Sequence, residues 1–141
     1  MARYSELMAA SQPFVIDEVL AAYRFDGHQQ VLDVGGGKGG FVRRLAAHAS
    51  HLRLHLFDLP QVAGIAQQQI DQHGFGQRIQ THGGDFLRDP LPRGADLVTL
   101  IRIAHDHPDA DVLTLLKAIH QALPVGGTLL LAEPMAQAPG Q

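Results

Sequence analysis

The stretch Val31 to Phe41, VLDVGGGKGGF, constrains this chain more than any other, because an apolar run ends in an acid and then in five glycines within six positions. Val31, Leu32 and Val34 predict a short buried strand. Gly35, Gly36, Gly37, Gly39 and Gly40 predict a turn that lies close to another molecule, since glycine admits left-handed dihedrals and has no Cβ to hold a ligand away. Phe41, Val42, Leu45 and Ala46 then recur at helical spacing. Strand, glycine turn and helix N-terminus in that order make a nucleotide-binding corner.

Three ligands compete for such a corner. Gly35-x-Gly37-x-x-Gly40 satisfies the dinucleotide spacing, in which a helix N-terminus receives a pyrophosphate. The phosphate loop of nucleotide hydrolases is disfavoured, because Lys38 is followed by Gly39 and not by the hydroxyl that would hold magnesium. Asp33 weighs between the remaining two: a carboxylate at the mouth of the site repels a pyrophosphate and attracts a cation. S-adenosylmethionine carries a sulfonium and an ammonium and has no phosphate, so the acid favours it over NAD.

The rest of the chain supplies a parallel α/β frame for that corner. Ser11 to Tyr23 predicts a helix with Pro13 in its first turn and Ile16, Val19, Leu20 and Tyr23 on one face. Leu52 to Asp58 predicts a second strand, Pro60 to Gln72 a helix beginning at its proline, Arg78 to His82 a third strand and Ala95 to Ile103 a buried fourth. Ala110 to Leu123 is helical in pattern and Thr128 to Ala132 is a fifth buried strand. Uniformly apolar strands alternating with helices indicate a five-stranded parallel sheet with helices on both faces. No linker divides the 141 residues, and 45% of them are hydrophobic, enough for one core.

Ligands of such sheets sit beyond the carboxyl ends of the strands. Asp33, Asp58, Asp85, the segment Arg102 to His105, and Glu133 fall at those ends, one group from each of the five strands. Asp58 stands where an acid hydrogen-bonds a ribose diol, or else caps the helix at Pro60. Asp85 with Phe86 offers an acceptor and an aromatic face suited to adenine, or else a plain turn acid after Gly83 and Gly84. His105 is open to three readings: a general base, a metal ligand with His107, or a solvated loop histidine. No third ligand accompanies the His-x-His pair, so no metal is assigned. His48, His51 and His55 straddle a helix end and a strand start and are not expected to share a face.

Composition closes off other classes. The formal charge of −3 comes from 11 basic and 14 acidic residues with the Lys and Arg scattered, so no basic stripe for nucleic acid is present. No 18-residue apolar run predicts a membrane span, which points to the cytoplasm by default. There is no cysteine, which excludes disulfides, thiolate metal sites and a cysteine nucleophile.

Taken together and in order, VLDVGGGKGG, FDLPQV, GGDFLRDPLPRGADLVTLIRIAHDHPD and GGTLLLAEPM resemble the S-adenosylmethionine-dependent O-methyltransferases of plant phenolics, acetylserotonin, bacterial polyketides and carotenoids. The resemblance implies a Rossmann-like class I methyltransferase core. It places Gly35 and Gly37 with Asp33 against the cofactor, Asp58 on the ribose, Gly84, Asp85 and Phe86 around the adenine, and Arg102 on the cofactor. It makes His105 the catalytic base and Glu133 the acid that positions it. The family has Trp where this chain has His107, its carotenoid members have Tyr at the position of His105, and its phenol members have His.

The family pattern also implies a core incomplete at both ends, with residues 1–27 a connecting helical segment and 28–141 a partial cofactor-binding domain. The fifth strand, TLLLA, would then be an exposed edge prone to association. The expected function is methyl transfer from S-adenosylmethionine to a hydroxyl of a small carotenoid or phenolic acceptor, in a protein that is a homodimer at full length. The alternatives are a non-catalytic cofactor-binding module and, against Asp33, an NAD-dependent oxidoreductase.

Overall fold

The computed structural model describes residues 3–9, 15–101 and 107–134, with 3–9 and 133–134 placed by backbone alone. Its elements are β1 (Arg3–Ala9), α1 (Val15–Ala22), β2 (Gln30–Val34), α2 (Gly40–His48), β3 (Arg53–Asp58), α3 (Pro60–Gln72), β4 (Ile79–Gly83), β5 (Leu97–Ile101), α4 (Asp109–Ala122) and β6 (Thr128–Pro134). The sheet runs β1-β6-β5-β2-β3-β4, and every neighbouring pair is parallel.

From β2 the chain steps outward through β3 to β4 on one side, then returns to β5 and β6 on the other. Because parallel crossovers are right-handed, that reversal moves the covering helix to the opposite face. Accordingly α1, α2 and α3 pack on one face, around Leu45, Leu54, Leu56 and Ile70, while α4 packs on the other through Leu115 and Ile119 against Leu32, Val98 and Leu100. Each such fully buried aliphatic side chain contributes about 1.5 to 3 kcal/mol by leaving water. Successive residues of β2 serve the two cores alternately, Val31 one and Leu32 the other, as the two-residue period of a strand requires.

The five strands read from sequence are all present, as β2 to β6, and a sixth accompanies them. Residues 3–9 pair with β6 from Arg3↔Thr128 to Ala9↔Pro134, so β6 is an inner strand and the expected exposed TLLLA edge is covered by β1. The correction has a physical cause: Glu6, Leu7, Met8 and Ala9 are helix-favouring residues, and the strand is imposed by pairing with a sheet edge, which local pattern does not report. The helical segment expected over residues 1–27 thus carries a strand as well as α1, and Val15 and Val19 of α1 belong to the main core. The N-terminal part of the Ser11–Tyr23 helix, with Pro13, lies outside the described residues.

Two polar clusters lock the end of the sheet opposite the glycine turn. Tyr23 Oη donates to His28 Nε2 at 2.6 Å, His28 Nδ1 donates to Asp96 Oδ1 at 2.6 Å, and Asp96 Oδ2 accepts from the N–H groups of Gln29 and Gln30. The half-buried Arg78 guanidinium donates to the carbonyls of Ala46, Ala49 and Leu52, at 2.7, 2.9 and 2.9 Å, just where α2 ends and has carbonyls without helical partners. Arg78→Ala is expected to cost about 2 to 3 kcal/mol of stability through those charge-assisted bonds, read as a lower urea midpoint at unchanged slope. An unchanged midpoint would show that water replaces the guanidinium without loss.

Candidate cofactor site

The glycine turn lies between β2 and α2, beside the gap where the strand order reverses. Gly35 and Gly37 have φ of 72° and 61°, left-handed values that a side chain would strain. The turn is held from β3: Gly35 N–H donates to Phe57 O at 2.7 Å and Gly37 N–H to Asp58 Oδ2 at 2.8 Å. Asp58 Oδ1 accepts from Leu59 N–H at 2.7 Å. The residue flanking α3 is Leu59, which makes no side-chain cap, so Asp58 is committed to the glycine turn rather than to capping that helix.

Two cavities meet at Gly35, each of about 310 Å³. One is walled by Phe57, Asp58, Leu59, Gly84, Asp85, Phe86, Leu87 and His107, a mostly apolar slot with two carboxylates. The other holds Asp33 among the glycines, closed by Ile16, Phe41 and Ile101. A ligand that crossed the turn would therefore place an aromatic and diol-bearing half on one side and its remaining half beside a single buried acid.

Asp33 is 2% exposed and its register partner on β5, Thr99, donates to Oδ1 at 2.7 Å. Burial drives its pKa up to about 7, against the Thr99 hydrogen bond, which lowers it, and with help from the Asp58 charge. The native state then binds more protons than the unfolded chain between about pH 4 and 7, so the stability contributed by this group is present below that window and is lost as pH rises through it.

The sequence model of the O-methyltransferase domain family matches residues 1–141. The chain belongs to that family. It is 44% identical over 134 residues to demethylspheroidene O-methyltransferase of Rhodobacter capsulatus, which covers 95% of this chain and 33% of that protein. Its fold superposes on mitomycin 7-O-methyltransferase MmcR with a TM-score of 0.81 at 30% identity, covering 89% of this chain and 37% of that one. It superposes likewise on the O-methyltransferase NcsB1 in complex with S-adenosylmethionine and 2-hydroxy-5-methyl naphthoic acid, with a TM-score of 0.77 at 31% identity, over 82% and 35%. The chain thus spans about a third of the length of these O-methyltransferases.

Several residues of the O-methyltransferase pattern converge in the structure. Gly35, Asp58, Gly84, Asp85 and Phe86 share one cavity, and Asp33, Gly35 and Gly37 share the other. Gly84 N–H donates to Asp58 O at 2.9 Å, which sets the two walls at a fixed separation. Asp85 also serves its own turn, with Oδ1 accepting from Leu87 N–H at 2.9 Å, so the turn role and the cavity role coexist. Arg102 and His105 lie outside the described residues, and Glu133 is placed by backbone alone, at the carboxyl end of β6.

In sequence His107 stands both as a companion metal ligand to His105 and at the family's Trp position, and in the structure it walls the first cavity and meets Phe86 edge to face, with ring centroids 5.4 Å apart at 83°. An aromatic at the family's Trp position is the signal that points there. Ile16, Phe41, Leu59 and Leu87 also line the cavities, though none stands out in sequence as a site residue; Leu59 and Leu87 are 52% and 41% exposed along an open slot. His48, His51 and His55 have different partners: His48 meets Phe25 edge to face, His51 Nε2 donates to the carbonyls of Phe25 and His28, and His55 Nδ1 lies 3.0 Å from His82 Nε2. Burial pushes the His55 and His82 imidazoles below their usual pKa, with mutual repulsion adding at His55.

Proposed function

We propose that this chain forms the cofactor-binding core of an S-adenosylmethionine-dependent O-methyltransferase whose acceptor is a hydroxyl of a small carotenoid or phenolic compound. The observation that carries the reading is the pair of cavities joined at Gly35: carboxylates and an aromatic on one side, one buried acid on the other, and backbone brought close between them. That donor set fits a nucleoside joined to a cationic amino acid, and among the described residues no Lys or Arg lines either cavity to meet a pyrophosphate. When bound, S-adenosylmethionine supplies a methyl group on a sulfonium, ready for transfer to oxygen.

Each residue has a distinct task in this reading. Asp58 holds the ribose hydroxyls, and Asp85 and Phe86 with His107 border the base. Asp33 faces the positively charged half, and Arg102 contacts the cofactor beyond β5. His105 takes the proton from the acceptor hydroxyl, and Glu133 orients the imidazole. The apolar lining does the rest, because transfer from a sulfonium to oxygen disperses charge and is favoured where water is excluded. Residues 28–141 form the cofactor-binding part, to which the connecting segment 1–27 adds Ile16 as a wall.

The acceptor class rests on the relatives, one named for demethylspheroidene and one crystallised with a hydroxynaphthoic acid. A homodimer at full length and a cytoplasmic location belong to the same proposal; no helix among the described residues is long and apolar enough to cross a membrane. Calorimetry with S-adenosylhomocysteine, set beside fluorescence titration with NADH, tests the reading. Saturable binding of the first and none of the second is expected, and the reverse result would establish a dinucleotide site.

A further inference from the structure

Asp33 and Thr99, with Thr128, are the buried polar residues among the described residues. Asp33 and Thr99 are register partners on β2 and β5, buried to 2% and 0% exposure, and the Thr99 hydroxyl donates to Asp33 Oδ1 at 2.7 Å. The second carboxyl oxygen is turned to the glycines: a Cβ placed on Gly36 would lie 2.8 Å from Asp33 Oδ2. The same carboxyl lines the cavity with Gly35, Gly36 and Gly37. Valine would fill the Thr99 position with the same branched shape, so the hydroxyl adds nothing that packing needs.

We propose that Thr99 is a positioning residue for the cofactor: its hydroxyl aims the Asp33 carboxyl at the glycine turn and supplies the hydrogen bond on which the carboxyl's negative form depends. The inference rests on the reading of this corner as a site for S-adenosylmethionine. An acid so deeply buried keeps its proton up to about pH 7, and among the described residues the charge acting on it is that of Asp58, which opposes ionisation. Around it, β3 brings Asp58, β5 brings Thr99 and Ile101, α1 brings Ile16 and α2 brings Phe41. Lys38 of the turn is exposed, and Arg102 and His105 lie outside the described residues.

A ligand that brings an ammonium group into this cavity favours the carboxylate, so binding drives one proton off Asp33 whenever the free site holds it. Affinity then rises with pH and levels off once Asp33 is already ionised. Removing the Thr99 hydroxyl withdraws the bond that stabilises the anion and moves that plateau to higher pH.

The test measures S-adenosylhomocysteine affinity by calorimetry from pH 6 to 8.5 and follows the Asp33 carboxyl carbon by NMR in the ligand-free chain. Affinity of the parent should rise about tenfold between pH 6 and 8, as one proton with a pKa near 7 requires. Thr99→Val should bind several-fold more weakly at pH 7, approach the parent at the alkaline end and titrate at higher pH by NMR; Thr99→Ser should restore both. Asp33→Asn should bind weakly with no slope, and retention of the parent's slope there would overturn the inference even if Thr99→Val failed to fold. Binding in which Thr99→Val keeps the parent's profile and NMR midpoint overturns the inference alone. Failure of the parent to bind at any pH overturns the cofactor reading together with it.

Discussion

Asp58→Ala is expected to weaken S-adenosylhomocysteine binding about 5- to 150-fold, the equivalent of 1 to 3 kcal/mol for lost hydrogen bonds to a charged group. Two losses combine. The carboxylate no longer meets the ligand's diol, and its bond to Gly37 N–H no longer fixes the turn over which the ligand lies. Asp58→Asn separates them, because an amide oxygen can still accept from one backbone N–H while offering the ligand no charge. Calorimetry should therefore rank the proteins parent, Asn, Ala. Parent-like affinity in Asn with a loss in Ala would show that Asp58 is only a brace for the turn, and equal affinity in all three would remove it from the site altogether. The substitution has a second signature: without the Asp58 charge, Asp33 ionises at lower pH, so the pH at which affinity levels off should fall.

How far the sequence discloses this molecule depends on whether local pattern or distant pairing decides an element. Pro60 to Gln72 is helical over the expected span, because proline at a first turn and apolar spacing are local signals. Asp33, Asp58 and Asp85 are legible because each is an acid at or just past the end of an expected strand, which is the ligand-binding edge of a parallel sheet. Thr99 is not legible in that way: a threonine among Leu97, Val98 and Leu100 reads as an ordinary strand residue until register sets it opposite Asp33. β1 escapes local pattern for the same kind of reason, since its strand state exists only through β6. His107 belongs to the first cavity through a tertiary contact with Phe86, and no period in the sequence encodes that contact.

The largest effect is expected at His105, in the chain extended to the length of its relatives. His105→Ala should lower kcat by about 10²- to 10⁴-fold, the usual contribution of a positioned general base. Phenols ionise at about pH 10, so at neutral pH most acceptor molecules keep the proton that the base must remove. The parent's kcat should rise with pH as the base loses its proton and then level off. Asp33 produces a pH dependence of the same sign, and the two are separable because Asp33 acts on cofactor affinity. At saturating S-adenosylmethionine its contribution disappears from kcat and remains in KM. His107→Ala is the control: it removes a wall of the cavity shared with Phe86, so it should raise KM for the cofactor and leave the pH profile of kcat in place. If His105→Ala turns over the acceptor at the parent rate, or if the pH profile follows His107 instead, His105 is a loop histidine and the proton leaves by another route.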